Sequence, residues 1–125
     1  MPHLTLQYTT NIDGIEPASL LRAMNAAAVA STLFDAADVK SRAVALQQFQ
    51  NGLEGDRSGF VHVTIAMSTR SHDEEKALSK AVADALEETL PNPLNTDLQL
   101  CVEIVHVDTS TYVKRLLRTP KGNAP

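Results

Sequence analysis

The sequence predicts an α+β fold built from two βαβ units, because the order strand, helix, strand occurs twice along the chain. Strand-like patterns occupy residues 3–8, 39–49, 60–67 and 98–107, and helical spacing occupies residues 17–32 and 72–90. A βαβ unit joins parallel strands through a right-handed crossover, which places its helix against the sheet. We therefore expect one four-stranded mixed sheet with both helices on the same face.

The first unit begins with a strand in which apolar and polar residues alternate from His3 to Tyr8. A turn follows at Asn11–Gly14, and Pro17 then suits the first turn of a helix. The helix is followed by the second predicted strand, and a long polar loop with two glycines separates it from the third strand.

The second unit carries clearer helix signals than the first. Ser71 and Glu74 have the spacing of a capping box, and an apolar stripe then runs to Leu90. Pro91 and Pro93 end the helix before the fourth strand.

One face of the predicted sheet is small and polar but nearly uncharged. A face open to water usually carries more lysine and glutamate, so we expect other subunits to cover it and predict a homo-oligomer. The residues that define this face are His3, Thr5, Gln7, His62, Thr64, Ala66, Gln99, Cys101, Glu103 and Val105.

The chain divides into a double βαβ domain at residues 1–107 and a C-terminal arm at residues 108–125. The arm is rich in cations and has three interleaved apolar residues, Val113, Leu116 and Leu117. This pattern favours an arm that packs on a neighbouring subunit, with a frayed tail from Thr119 to Pro125.

Composition limits the possible partners and compartment. The net charge of −4 argues against a general nucleic-acid surface, and no apolar run is long enough for a membrane span. One cysteine, Cys101, cannot form an internal disulfide and is expected to be a packing residue. With no signal-peptide pattern at the amino terminus, we expect a cytoplasmic protein.

Pro2 is the candidate catalytic residue. It follows Met1, so removal of that methionine would leave a secondary amine at the amino terminus. An ordinary α-amino group has a pKa of about 7.7–8.0. Burial and nearby cations lower it further, which gives a base suited to neutral pH.

Arg42 and Arg70 are the candidate substrate-binding residues. If strands one and three lie side by side and antiparallel, the start of strand one meets the start of strand two and the end of strand three. Pro2, Arg42 and Arg70 would then lie at one end of the sheet. Guanidinium groups bind carboxylates bidentately. The alternatives are that Arg70 pairs with Asp73 or Glu74 and that Arg42 is an ordinary surface residue.

No cofactor or metal is predicted. The four histidines are scattered, no Cys or His pairs have zinc-like spacing, and no glycine-rich phosphate loop occurs.

In these features the chain resembles the 5-carboxymethyl-2-hydroxymuconate isomerase family of the tautomerase superfamily. The resemblance covers roughly residues 2–107. It depends on the segments Pro2–His3, Asn11–Ile12, Ser41–Arg42, Phe60–His62, Arg70–Ser71 and Glu103–Ile104.

The resemblance implies a homotrimer without a cofactor, in which Pro2 moves a proton while Arg42 and Arg70 bind carboxylates. One of these arginines would come from an adjacent subunit. The implied reaction is the isomerisation of 5-carboxymethyl-2-hydroxymuconate during homoprotocatechuate degradation, a part of aromatic compound catabolism in the bacterial cytoplasm. Two alternatives remain open at this point. One is a decarboxylase, hydratase or dehalogenase of the same fold acting on another unsaturated acid, and the other is a non-catalytic ferredoxin-like binding module.

Overall fold

The computed structural model describes residues 1–120 and contains four strands, two helices and one short 3₁₀ turn. In chain order these are β1 (His3–Thr9), α1 (Pro17–Ala30), the 3₁₀ turn (Ala36–Asp38), β2 (Lys40–Leu46), β3 (Gly59–Met67), α2 (His72–Thr89) and β4 (Leu98–His106).

The strands form one mixed sheet in the order β2-β1-β3-β4. β1 pairs in parallel with β2, β3 pairs in parallel with β4, and the central pair β1 and β3 is antiparallel. The two helices pack against each other, and each also contacts the sheet. The predicted double βαβ architecture is therefore confirmed, including the antiparallel central pair.

The core lies between the helices and one face of the sheet, and its residues repeat with the period of each element. Alternate residues of β1 and β3 and every fourth helix residue are buried, as expected for a sheet face and a helix stripe. Burying one large aliphatic side chain contributes about 1.5–3 kcal/mol, so these layers hold the ends of the strands firmly in place. The most deeply buried set is Leu4, Leu6, Val61, Val63, Ile65, Met67, Leu20, Met24, Leu78, Val82 and Leu86.

Two predicted boundaries extend too far. α1 ends at Ala30 because the Ser31 hydroxyl donates to the Ala28 carbonyl at 2.6 Å and Thr32 takes a left-handed conformation with φ 64°. β2 ends at Leu46 because its partner β1 ends at Thr9, so later residues have no strand to pair with.

The capping box of α2 is confirmed. The Glu74 amide donates to the Ser71 hydroxyl at 3.1 Å, and the Ser71 amide donates to the Glu74 carboxylate at 3.2 Å. A cap of this kind contributes about 1 kcal/mol, and it fixes the start of α2 two residues after Arg70.

The sheet face opposite the helices is the small polar face predicted from the sequence, and we call it the open face. On β1 and β3 its residues are half-buried, whereas on β4 they are exposed. Cys101 is among the exposed residues, so in the single chain it is not packed as the sequence led us to expect. Neither helix in residues 1–120 is long and apolar enough to cross a membrane.

Candidate active site

The predicted site lies at the end of the sheet where β1 begins. Pro2 is buried, and its carbonyl accepts a hydrogen bond from the Lys40 amide at 3.2 Å. His3 lies opposite Lys40 on one side and opposite Ala66 on the other. The start of β1, the start of β2 and the end of β3 therefore meet at this end, as the antiparallel arrangement requires.

Arg42 lies on the open face of β2, opposite Thr5 in β1. Its Nη2 donates to Nδ1 of His3 at 2.8 Å. The rest of the guanidinium is exposed. The side chain of Arg42 thus extends from β2 to His3, the residue that follows Pro2.

Arg70 follows β3 and is held by the loop after α1. Its guanidinium donates to the Ser68 hydroxyl and, from Nη2, to the Leu33 carbonyl at 3.4 Å. The guanidinium carbon also lies 5.8 Å from the centre of the Phe34 ring, a cation–π arrangement. Glu75 accepts a hydrogen bond from the backbone amide of Arg70 at 2.8 Å.

The alternative ion pairs for Arg70 do not form. Within residues 1–120, the guanidinium of neither Arg42 nor Arg70 has a carboxylate partner. No hydrogen bond in this part of the chain joins either guanidinium to Pro2. The structure therefore places two arginines without an acidic partner at the Pro2 end of the sheet, Arg42 on the open face and Arg70 beside the loop after α1.

The electrostatic environment at this end disfavours a positively charged amine. Burial is the largest cause of the lowered pKa of the Met1 amino group, and the charges of Lys40 and Lys114 lower it further. Asp38 acts in the opposite direction.

Two residues at this end were not identified as site residues from the sequence. His3 was assigned to the open face and to the Pro2–His3 segment of the resemblance, and Tyr112 to the C-terminal arm, but neither was given a role in the site. Nε2 of His3 lies 2.9 Å from the Tyr112 hydroxyl, so the two contact each other beside Arg42. The contact between residues so far apart in the chain leaves no signal in the local sequence pattern.

The described part of the C-terminal arm makes contacts within its own chain. Lys114 pairs with Asp38 at 2.7 Å, and Asp108 accepts hydrogen bonds from the Ser110 amide and hydroxyl that close a turn. The predicted frayed tail falls partly at 121–125, which lie outside the described residues. The apolar residues of the arm remain exposed, with fractions of 73% for Val113, 72% for Leu116 and 86% for Leu117.

A cavity of about 330 Å³ lies between the end of α1 and the first turns of α2, and its lining includes four alanines and Leu33, whose carbonyl accepts a hydrogen bond from Arg70. It contains none of the predicted site residues. In residues 1–120, no three Cys, His, Asp or Glu side chains cluster closely enough to hold a metal ion.

Comparison with solved structures supports the tautomerase-like fold. A 5-carboxymethyl-2-hydroxymuconate isomerase from Deinococcus radiodurans R1 is 24% identical, with a TM-score of 0.72 over 91% of this chain and 88% of that one. A 5-carboxymethyl-2-hydroxymuconate delta-isomerase is 17% identical, with a TM-score of 0.80 over 93% of this chain and 88% of that one. A fused 4-OT described as a symmetric trimer is 17% identical, with a TM-score of 0.63 over 83% and 85% of the two chains.

None of the curated proteins matches the chain. The family model for 5-carboxymethyl-2-hydroxymuconate isomerase matches residues 2–117, a range that includes Pro2, both arginines and Tyr112. The match extends past the fourth strand, so the first part of the C-terminal arm belongs to the family pattern as well. With this match and the tautomerase-like sheet, the chain belongs to the 5-carboxymethyl-2-hydroxymuconate isomerase family of the tautomerase superfamily.

Proposed function

We propose that the protein is a cofactor-independent isomerase that moves a proton along an unsaturated dicarboxylate or tricarboxylate of the 2-hydroxymuconate type. Its family supports an isomerase-type enzyme. The proposed substrate is 5-carboxymethyl-2-hydroxymuconate. The observation that carries the proposal is the position of Pro2, buried at the end of the sheet that also holds two arginines without acidic partners.

Pro2 acts as the acid and base in this proposal. Its nitrogen must be a free secondary amine, so Met1 has to be removed before the enzyme is active. The burial and cations that lower the pKa of the Met1 amino group also favour the neutral amine of Pro2. The amine accepts the proton of the 2-hydroxyl group, the electron pair shifts along the conjugated system, and the ammonium returns the proton to a carbon farther along. The product is an isomer of the substrate, so atoms and electrons balance.

Arg42 and Arg70 bind the carboxylates of the substrate and stabilise the negative charge that develops on the dienolate. A guanidinium holds its charge at all working pH values and forms two parallel hydrogen bonds with a carboxylate. Donors already positioned where charge develops supply much of the rate enhancement in reactions of this kind. The proton transfer itself uses only the amine, so the proposal includes no cofactor and no metal.

The proposed assembly is a homotrimer. The open face carries few charged groups, and the exposed residues Val113, Leu116 and Leu117 need a surface to cover them. A neighbouring subunit that packs on the open face and on the arm would bury both surfaces. In this trimer one arginine of each site comes from an adjacent subunit. Light scattering checks this assembly, because a mass near one 13.5 kDa chain would contradict it.

The proposed setting is the bacterial cytoplasm, where the reaction would serve homoprotocatechuate degradation. A panel of unsaturated acids tests the substrate. The purified protein, with Met1 removed, is followed by ultraviolet absorbance on 5-carboxymethyl-2-hydroxymuconate, on 2-hydroxymuconate and on an unsaturated acid that can only be decarboxylated or hydrated. We expect the first to turn over with the highest kcat/KM. Decarboxylation or hydration without isomerisation would contradict the proposal.

A further inference from the structure

The side chain of Arg42 is held by a residue that the proposed reaction does not use. Nη2 of Arg42 lies 2.8 Å from Nδ1 of His3, and Nε2 of His3 lies 2.9 Å from the hydroxyl of Tyr112. The rings of His3 and Tyr112 also meet edge to face, with centroids 6.1 Å apart. Arg42, His3 and Tyr112 therefore form one connected chain from β2 across β1 to the C-terminal arm.

The chemistry of the guanidinium determines the tautomer of His3. A guanidinium can only donate hydrogen bonds, so Nδ1 of His3 must offer a lone pair and cannot carry a proton. A neutral imidazole then carries its one proton on Nε2, and this N–H donates a hydrogen bond to the Tyr112 hydroxyl oxygen. This arrangement is formed only by the neutral Nε2–H tautomer.

We propose that His3 is a positioning residue, which orients the Arg42 guanidinium for a substrate carboxylate, and that Tyr112 fixes the orientation of the His3 ring. The inference rests on the proposed function, since Arg42 binds substrate there. His3 accepts one of the five N–H groups of a guanidinium, so four remain to form a fork on a carboxylate. Orienting an exposed side chain in advance lowers the conformational entropy that substrate binding has to remove.

The groups around His3 all favour its neutral form. β2 contributes the cations Arg42 and Lys40, the amino terminus contributes a third, and β3 contributes no charge because Ala66 lies opposite. The C-terminal arm contributes Tyr112, and its Lys114 is paired with Asp38. Burial is the largest cause of the lowered pKa of His3, followed by Arg42.

The tautomer can be tested by nitrogen NMR of the His3 ring in the intact protein, without any substrate. We expect the Nε2–H tautomer at neutral pH and a titration midpoint below the ordinary value of about 6.5. Arg42→Ala should raise the midpoint only part of the way, because burial remains. A proton on Nδ1, or a His3 titration midpoint that does not change in Arg42→Ala, would overturn the inference. The result of this measurement does not depend on the identity of the substrate.

The positioning role can be tested by two replacements of His3. An asparagine places its amide oxygen near the position of Nδ1, whereas a glutamine amide reaches the position of Nε2. We expect His3→Gln to raise KM about tenfold with kcat changed less than about twofold, the pattern of a lost binding interaction. His3→Asn should keep KM within about threefold of the unmodified protein, since it still accepts from Arg42. Equal values of KM in the two variants would contradict a role that depends on the acceptor at Nδ1.

Tyr112→Phe tests the second link of the chain, since it removes the hydroxyl and keeps the ring. We expect a rise in KM smaller than that of His3→Gln, because the neutral imidazole can still accept from Arg42. His72→Asn is the matched control, as His72 is exposed at the start of α2, an element that carries neither Arg42 nor His3. The role assigned to Tyr112 fails if Tyr112→Phe leaves KM unchanged. A rise in KM for His72→Asn equal to that of His3→Gln would show that the effect is not specific to His3.

Discussion

Pro2→Ala, in protein from which Met1 has been removed, is expected to lower kcat/KM about 100-fold. A positioned acid–base group supplies roughly 10²- to 10⁴-fold. We expect the lower end of that range because the alanine variant still offers a primary amine at the amino terminus. That amine lacks the ring that fixes the proline nitrogen relative to the backbone, so its lone pair is less well oriented. Steady-state kinetics on 5-carboxymethyl-2-hydroxymuconate measures the change.

Pro17→Ala is the matched control for this variant. Pro17 is the first residue of α1, far along the chain from Pro2, and its role is to favour the helix start. Intact mass must show that Met1 is absent from both variants, and circular dichroism must show that both are folded. Unchanged kcat/KM in Pro2→Ala would leave the proposed mechanism without its base.

Arg42→Ala and Arg70→Ala are each expected to lower kcat/KM by about 10- to 100-fold. A hydrogen bond to a charged group contributes about 1.5–3 kcal/mol, which corresponds to this range. The two variants should differ in stability. Arg70 contacts Ser68, Leu33 and Phe34 within the chain, so its loss should lower the free energy of unfolding by about 1 kcal/mol. The guanidinium of Arg42 hydrogen-bonds only His3 within the described chain, so the expected loss is smaller.

Lysine variants separate charge from geometry at both positions. Arg42→Lys and Arg70→Lys keep the charge but lose the fork, so they should recover only part of the lost kcat/KM. Arg22→Ala is the control, since Arg22 lies exposed on α1 and hydrogen-bonds Ser19. Full activity in both Arg42→Ala and Arg70→Ala would contradict their assignment to substrate binding.

The fold followed from the sequence because its signals are local. The capping box at Ser71, the proline at position 17 and the alternation in β1 and β3 each specify one element without reference to the rest of the chain. The handedness rule for βαβ units then leaves few ways to assemble them. Of the two boundaries that were wrong, the end of β2 depends on a distant partner, because β2 stops where β1 no longer offers a pairing residue. The end of α1 depends on the local hydrogen bond of Ser31 and the left-handed conformation of Thr32.

The site could be predicted only as far as the backbone places it. Strand order brings Pro2, Arg42 and Arg70 to one end of the sheet, and this follows from topology. The direction of each side chain does not follow from topology, because it depends on packing between residues far apart in sequence. The contact of His3 with Tyr112 joins the first strand to the C-terminal arm, and the position of Arg70 depends on Leu33 and Phe34.

The most direct test of the central claim compares the same protein with and without Met1. With Met1 attached, the nitrogen of Pro2 belongs to a peptide bond and has no basic lone pair, and the free α-amine lies one residue away. We expect protein that retains Met1 to have a kcat/KM at least about 100-fold lower, and enzymatic removal of Met1 to restore it. The restored activity should decrease as the pH is lowered, with an apparent pKa below about 8, the ordinary value of an α-amino group. Equal activity in the two forms, with identical pH profiles, would show that the amine of Pro2 does not move the proton.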